Sequence, residues 1–166
     1  MYFSGFSLKN EQKLFTEYIE KSDFVVSGFS YGAIQALKYV LSTNQRVDKL
    51  QLFSPAYFND KDKKYKRMQL MYFKKDPSTY CNNFLQNAGF SQGLQTRYFQ
   101  MGTFEELEEL LNYDWTSEKL EKVLEKSIII EVFLGSEDQI IDSQEALDFF
   151  RKFSEVYYIK NKGHIL

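Results

Sequence analysis

The sequence predicts an α/β fold: a mostly parallel sheet of about five strands flanked by helices, with a helical lid inserted before the penultimate strand. Three observations carry this expectation. From Met1 to Ser54 the pattern runs strand, helix, strand, helix, strand, an order that calls for parallel strands joined by right-handed crossovers. Ile128 to Leu134, IIIEVFL, is a nearly continuous apolar run of the kind shown by a parallel strand covered on both faces. Phe24 to Leu41, FVVSGFSYGAIQALKYVL, reads as a short apolar strand, a Gly-x-Ser-x-Gly turn at Gly28 to Gly32, and a helix with Ala33, Ala36, Leu37, Val40 and Leu41 on one face.

Met1 to Ser4 is a very short strand leading into Gly5-Phe6-Ser7. A helix follows from about Lys9 to Lys21, with Leu14, Phe15, Tyr18 and Ile19 on its apolar side, until Ser22-Asp23 breaks it. Phe24 to Ser27 is the strand that enters the Gly-x-Ser-x-Gly turn. After the next helix, Ser42 to Gln45 is a polar loop, and Lys49 to Ser54 is a strand stopped by Pro55. Ala56 to Lys126 leaves the alternation for several short helices: a basic one ending at Lys75, one opened by Asp76-Pro77-Ser78, one ending near Gly102, and two acidic ones. Thr103 and Glu106 form a capping box for the first acidic helix, whose inner stripe is Phe104, Leu107, Leu110 and Leu111. Such an excursion between sheet strands is what a lid over a site looks like. After the IIIEVFL strand comes Gly135-Ser136-Glu137-Asp138. A helix from about Asp142 to Phe153, with Asp142 able to cap it, leads to the last strand, Val156 to Ile159, and then to Asn161-Lys162-Gly163-His164. One domain over residues 1–166 is expected, with the lid at about 56–126.

Composition narrows the function classes. With 43% hydrophobic and 17% aromatic residues the chain is not a disordered one. A net charge of −2 gives no general positive field for nucleic acid. The single cysteine, Cys81, cannot pair within the chain, suits a reducing compartment and is expected to be small and buried. No apolar run has membrane-spanning length, and Met1 to Asn10 lacks the basic start and apolar core of a signal peptide, so a soluble cytoplasmic protein without membrane contact is expected; a monomer is the expected state. One histidine and one cysteine are too few for a structural zinc site, and no Gly-Lys-Ser/Thr phosphate loop occurs, so neither metal nor cofactor is expected.

Ser30, Asp138 and His164 fall just past the carboxyl ends of three strands, the edge where open parallel sheets bind ligands. A serine hydroxyl needs an imidazole to take its proton, and the imidazole needs a carboxylate to set its tautomer. The only histidine of the chain sits where that base is required. Acyl transfer also needs N–H donors for an oxyanion. The expected donors are the backbone of Tyr31, after the serine, and of Phe6, in the loop after the first strand. Each residue also has a plain reading: a turn serine, an exposed histidine near the end, a helix-start aspartate, a core phenylalanine.

SGF at Ser4 to Phe6, GFSYG at Gly28 to Gly32, GSED at Gly135 to Asp138 and KGH at Lys162 to His164 together resemble the α/β-hydrolases, whose triad follows in the order Ser, Asp, His. Within that superfamily the compact size, short first strand and basic lid resemble the small pimeloyl-ACP methyl ester esterases of biotin synthesis, of the Helicobacter type. This resemblance implies hydrolysis of the methyl ester on pimeloyl-acyl carrier protein with release of methanol. Four features depart from the pattern. No antiparallel strands precede the first strand, one strand–helix unit before the serine turn is missing, the common His-Gly of the oxyanion loop is Ser4-Gly5, and only two residues follow His164. The last leads to the expectation of a mobile His164.

Lys61, Lys63, Lys64, Lys66, Arg67, Lys74 and Lys75 face only Asp62 in sequence, and Arg97 lies further on. Acyl carrier proteins are acidic, so this lid face could orient one; it could equally be a solvated helix face. Met68, Met71, Tyr72, Phe73, Phe84, Leu85, Phe99 and Trp115 are candidates for an acyl channel, of which two or three are expected to touch substrate. A lipase or thioesterase with the same triad, or an inactive α/β-hydrolase used for binding, are the other readings.

Overall fold

The computed structural model describes residues 1–166 and contains one five-stranded sheet. Strands β1 (Tyr2–Phe3), β2 (Val25–Phe29), β3 (Lys49–Phe53), β4 (Ile129–Gly135) and β5 (Glu155–Ile159) lie side by side in chain order, and every neighbouring pair is parallel. Phe29 pairs in register with Phe53, and Phe53 with Phe133, so the three middle strands reach the same height. Their continuations therefore emerge side by side at one edge. Helix α1 (Tyr31–Ser42) joins β2 to β3 and α7 (Ser143–Phe150) joins β4 to β5. The long link from β3 to β4 holds α2 (Lys63–Lys75), α3 (Pro77–Asn87), α4 (Gln92–Tyr98), α5 (Phe104–Asn112) and α6 (Ser117–Glu125).

Strand side chains alternate between two faces. On one, Val26, Leu50, Leu52, Ile130, Val132 and Leu134 meet the apolar stripes of α1, α5, α6 and α7 in the larger core. On the other, Phe29 and Phe53 meet Phe15, Phe133 meets Phe53 and Tyr18, and Leu85, Phe90 and Tyr98 complete a smaller core. The Phe15 ring lies 5.1 Å from Phe53, stacked, and 4.8 Å from Phe29. Helix ends follow the expected chemistry. Thr103 Oγ1 accepts from the Glu106 N–H while Glu106 Oε2 accepts from the Thr103 N–H, a complete capping box. At the far end of α1, Lys126 Nζ donates to the carbonyls of Val40 and Leu41 at 2.7 and 3.0 Å, supplying the cation that a helix C-terminus favours.

Two expectations are corrected. The segment after β1 is not a long α-helix: only Glu11–Phe15 is helical, as a 3₁₀ turn, and Asn10 before it is left-handed at φ 58° with no side-chain cap. Buried Gln51 of β3 takes over the hydrogen bonding there. Its amide donates to the Tyr18 carbonyl at 3.0 Å and its oxygen accepts the Glu20 N–H at 3.1 Å, so the backbone that would have continued the helix is tied to the sheet. The links also differ in hand. This first segment packs on the Phe29/Phe53 face, whereas α1 packs on the Leu50/Leu52 face. Because β1, β2 and β3 progress in one direction, crossovers on opposite faces have opposite hands. The rule favouring right-handed links assumes a strand feeding a helix, and β1 is two residues long and feeds a 3₁₀ turn.

Phe15 is fully buried and is the main apolar contribution of this first link to its face. Phe15→Ala should lower the unfolding free energy by about 3–5 kcal/mol in urea titration. A loss under about 1 kcal/mol would show that the segment is not part of the core.

Candidate active site

Ser30 occupies the turn between β2 and α1 with φ 54° and ψ −114°, a conformation that costs a non-glycine residue about 1–3 kcal/mol. Backbone contacts hold it there. The Ser30 N–H donates to the Phe53 carbonyl at 2.9 Å, and the Ser30 carbonyl accepts from the N–H groups of Ala33 and Ala56, each at 3.1 Å. The flanking glycines are required by close approach. A Cβ on Gly28 would lie 2.1 Å from the Gly32 carbonyl oxygen, and one on Gly32 would lie 2.1 Å from that of Phe3. The serine turn is thus pressed directly against the end of β1 and its loop.

Asp138 and His164 come from the turns after β4 and β5, and these turns are laced to each other. The Glu137 N–H donates to the Lys162 carbonyl at 2.8 Å and the Asn161 N–H to Ser136 Oγ at 3.0 Å. Gly135 permits this, since a Cβ there would stand 2.1 Å from the Gly163 carbonyl oxygen. His164 Nε2 lies 2.9 Å from Ser30 Oγ and His164 Nδ1 lies 2.7 Å from Asp138 Oδ2. The other oxygen of Asp138 accepts the N–H groups of Ile140 and Ile141 at 2.7 and 3.1 Å. His164 is not loosely held. Its carbonyl accepts from Ser54 Oγ at 2.7 Å, its ring lies 5.1 Å from that of Phe29, and Leu166 beyond it is buried in the smaller core. Leu166 is thus an apolar plug for the segment that carries His164.

An imidazole between a carboxylate and a hydroxyl has one consistent tautomer, with the proton on Nδ1 toward Asp138 and a free lone pair on Nε2 toward Ser30. It can then take the serine proton. The side chains of His164 and Asp138 are 1% and 0% exposed, so their contact is shielded from water. The Phe6 N–H donates to no protein acceptor, and the Tyr31 N–H belongs to the first turn of α1, whose N–H groups lack partners within the helix. The Phe6 ring itself is core, edge-on to Phe84 at 5.4 Å.

Beside this edge, a cleft of about 490 Å³ runs between α2, α3 and the turn after β4. Phe58, Phe84, Leu111 and Ile140 give it apolar walls, while Gln69, Asn83, Asn87 and Gln139 bring carboxamides. Of the expected channel residues only Tyr72 and Phe84 line it. Phe73, Leu85 and Trp115 are buried core, and Met68 and Met71 point outward at 40% and 59% exposure. Lys63, Lys64, Arg67, Lys74 and Lys75 are exposed on α2, Lys66 is half-buried there, and Arg97 is exposed on α4; none of these cations pairs with a carboxylate, whereas Lys61 pairs with Asp60. Cys81 is fully buried, and burial pushes its thiol up.

Two contributors were not identified from sequence. Ser54 carries a signal, a polar residue at a strand's carboxyl end, but that alone does not separate an anchor from a strand terminus. Glu109 carried none beyond its acidic helix. Its carboxylate accepts from the Tyr31 hydroxyl at 2.7 Å and the Gln35 amide at 2.9 Å, and pairs with Lys38, so three residues of α1 grip α5. Burial pushes the Glu109 carboxyl up, but the hydrogen bonds from Lys38, Tyr31 and Gln35 outweigh it and hold it below its usual range. Burial and then the Glu109 contact push the Tyr31 phenol up.

No protein-family model matches the sequence, and no curated protein does either. Solved structures do. An esterase from Exiguobacterium antarcticum overlays 84% of this chain and 59% of its own with a TM-score of 0.66 at 19% identity. Naproxen esterase (carboxylesterase NP) from Bacillus subtilis overlays 89% of this chain and 55% of its own, with a TM-score of 0.55 at 22% identity. The chain therefore spans less than two thirds of either esterase. BioG from Haemophilus influenzae is nearer in size, covering 99% of this chain and 87% of its own with a TM-score of 0.62 at 13% identity. At these identities the likeness establishes the fold: a reduced α/β-hydrolase fold.

The Glu109 contact has a pH signature. A carboxyl whose folded pKa is depressed adds stability that is complete above its unfolded value, about 4.3, and is lost as pH falls through the folded value. Urea midpoints measured between about pH 3 and 6 should therefore fall more steeply in acid for the wild type than for Glu109→Gln, the two curves converging at the acid end. Parallel curves would show that the contact adds nothing.

Proposed function

We propose that the chain is a serine carboxylesterase that hydrolyses the methyl ester of pimeloyl-acyl carrier protein. The observation that carries the esterase reading is the continuous contact from Ser30 through His164 to Asp138, at 2.9 and 2.7 Å, beside an unpaired Phe6 N–H. Ser30 Oγ attacks the ester carbonyl carbon as His164 Nε2 takes its proton. Negative charge moves to the former carbonyl oxygen, where the N–H groups of Phe6 and Tyr31 receive it. The intermediate collapses with loss of methanol, the departing oxygen recovering the proton from His164, and an acyl-serine remains. Water then gives a proton to His164 and its oxygen to the acyl carbon, and collapse returns the proton to Ser30. Asp138 keeps its charge throughout, orienting the imidazole and stabilising the imidazolium.

The carrier reading rests on the outer face of α2. Lys63 and Lys64, Arg67 and Met68, Met71 and Tyr72, and Lys74 and Lys75 follow one another at helical spacing, so cations bracket an exposed apolar centre. An acidic helix with an apolar stripe fits such a face, and acyl carrier proteins are acidic. Tyr72 and Lys75 also line the cleft, so a carrier seated on α2 would deliver its arm at the cleft mouth. The methyl pimeloyl group comes from the sequence resemblance, and the overlay with BioG over nearly the whole chain is compatible with it. A lipase or thioesterase is the second reading; the carboxamides of the cleft do not favour a long apolar chain.

Folded Ser30→Ala should lose about 10⁴-fold or more in kcat on a simple aryl ester and all labelling by a fluorophosphonate. Persistent labelling would end the assignment. Lys63→Glu, Lys64→Glu and Arg67→Glu combined should raise KM for carrier-bound ester by about tenfold or more and leave the aryl ester unchanged; equal loss on both would remove the carrier. Turnover of methyl pimeloyl carrier against a thioester of the same chain separates the esterase from a thioesterase. Rescue by wild type, and not by Ser30→Ala, of a strain lacking its biotin-pathway ester hydrolase tests the substrate.

A further inference from the structure

Glu11 is fully buried, and its two oxygens are unlike. Oε1 accepts from the Gly5 N–H at 2.8 Å and from the Tyr2 hydroxyl at 3.0 Å, whereas Oε2 is buried with no partner. Burying a carboxylate with an oxygen unsatisfied is unfavourable. The apolar neighbours of the 3₁₀ turn give no reason for a carboxylate at this place. What it grips does: Gly5 begins the loop that presents the Phe6 N–H.

Glycine is the most permissive residue, so a loop that aims an N–H through a glycine must be held from outside. Gly5 is held on both sides. Glu11 fixes its N–H, and the Leu8 N–H donates to its carbonyl at 3.1 Å. The peptide unit is planar and trans, so the direction of the Gly5 carbonyl sets that of the Phe6 N–H, which points the opposite way. No larger residue could replace Gly5 without movement, because a Cβ there would stand 2.9 Å from the Phe29 ring. Both torsions of Gly5 are therefore set by one buried carboxylate and one backbone N–H.

Resting on the acyl-transfer reading above, we infer that Glu11 is a positioning residue of the reaction: through the Gly5 N–H it aims the Phe6 N–H at the developing oxyanion. The working atom is the acceptor Oε1, the one of the two oxygens that has partners. Reach therefore matters more than ionisation. Glu11→Gln keeps an acceptor oxygen at the same reach; Glu11→Asp keeps the charge and withdraws it by one methylene.

The experiment compares both variants with wild type on an aryl ester, with folding checked by circular dichroism and denaturant titration. Glu11→Asp should lower kcat by about 10- to 100-fold with KM within about twofold, the mark of a lost transition-state contact. Glu11→Gln should hold kcat within about threefold of wild type. Affinity for an aryl boronate, which forms a tetrahedral adduct on Ser30, should fall with Glu11→Asp in proportion to kcat. Wild-type kcat in folded Glu11→Asp, equal losses in the two variants, or a loss expressed in KM would each overturn the inference while leaving Ser30 in place. A wild type without esterase activity would overturn both readings. Should Glu11→Asp fail to fold, amide exchange in the wild type decides: the Gly5 N–H must be strongly protected, and exchange at the rate of an open loop amide refutes its capture by Glu11.

Discussion

At three places along the carboxyl edge of the sheet, backbone approaches backbone more closely than side chains would allow, and the rest of the site edge depends on that approach. Gly28 against Gly32, Gly32 against Phe3 and Gly135 against Gly163 are backbone-to-backbone contacts with no room for a Cβ. They bring the turn of Ser30 against the loop of Phe6 and draw the turns of Asp138 and His164 together. Residues 134 positions apart in sequence then meet at hydrogen-bond distance. Strained backbone at Ser30, and again at Ser54 with φ 39°, is tolerated because each N–H is bonded to a carbonyl of the next strand, Phe53 for Ser30 and Phe133 for Ser54.

The sheet supports this edge unequally from its two faces. Four helices cover one face, while on the other the first link contributes a 3₁₀ turn, with Phe15 among Phe29, Phe53 and Phe133. Those phenylalanines are the last side chains of their strands on that face, and Phe29 also touches the His164 ring. Aromatic packing below the edge thus replaces the cover that a long helix would give.

What was legible in the sequence was what local chemistry decides. The alternation of strands and helices, the turn at Gly28 to Gly32, the capping box at Thr103 and the strand-end positions of Ser30, Asp138 and His164 all depend on short-range pattern, and the structure places them accordingly. The errors have a common origin in long-range competition. Leu14, Phe15, Tyr18 and Ile19 have helical spacing, yet Gln51, on a strand 31 residues away from Glu20, takes the hydrogen bonds and ends the helix. The anchoring of His164 depends on Ser54, 110 residues away, and the role of Glu11 on a glycine whose neighbours are set by the fold. The burial of Leu166 likewise depends on residues far from it in sequence, Phe29 and Phe90 among them.

The two sides of the insertion are fastened differently. Glu109 fastens α5 to α1 through Tyr31, Gln35 and Lys38, and α2 rests on α5 through Phe73 and Phe104, with Lys74 over the Phe104 ring and none of its cations paired with a carboxylate. The fastened half shares its bolts with the residue that follows Ser30, so few substitutions there would be silent. The outer helix carries no such obligation. On the carrier reading proposed above, a lineage could change its partner by rewriting the solvent side of this one helix, while the contacts from Ser30 through His164 to Asp138 stay as they are.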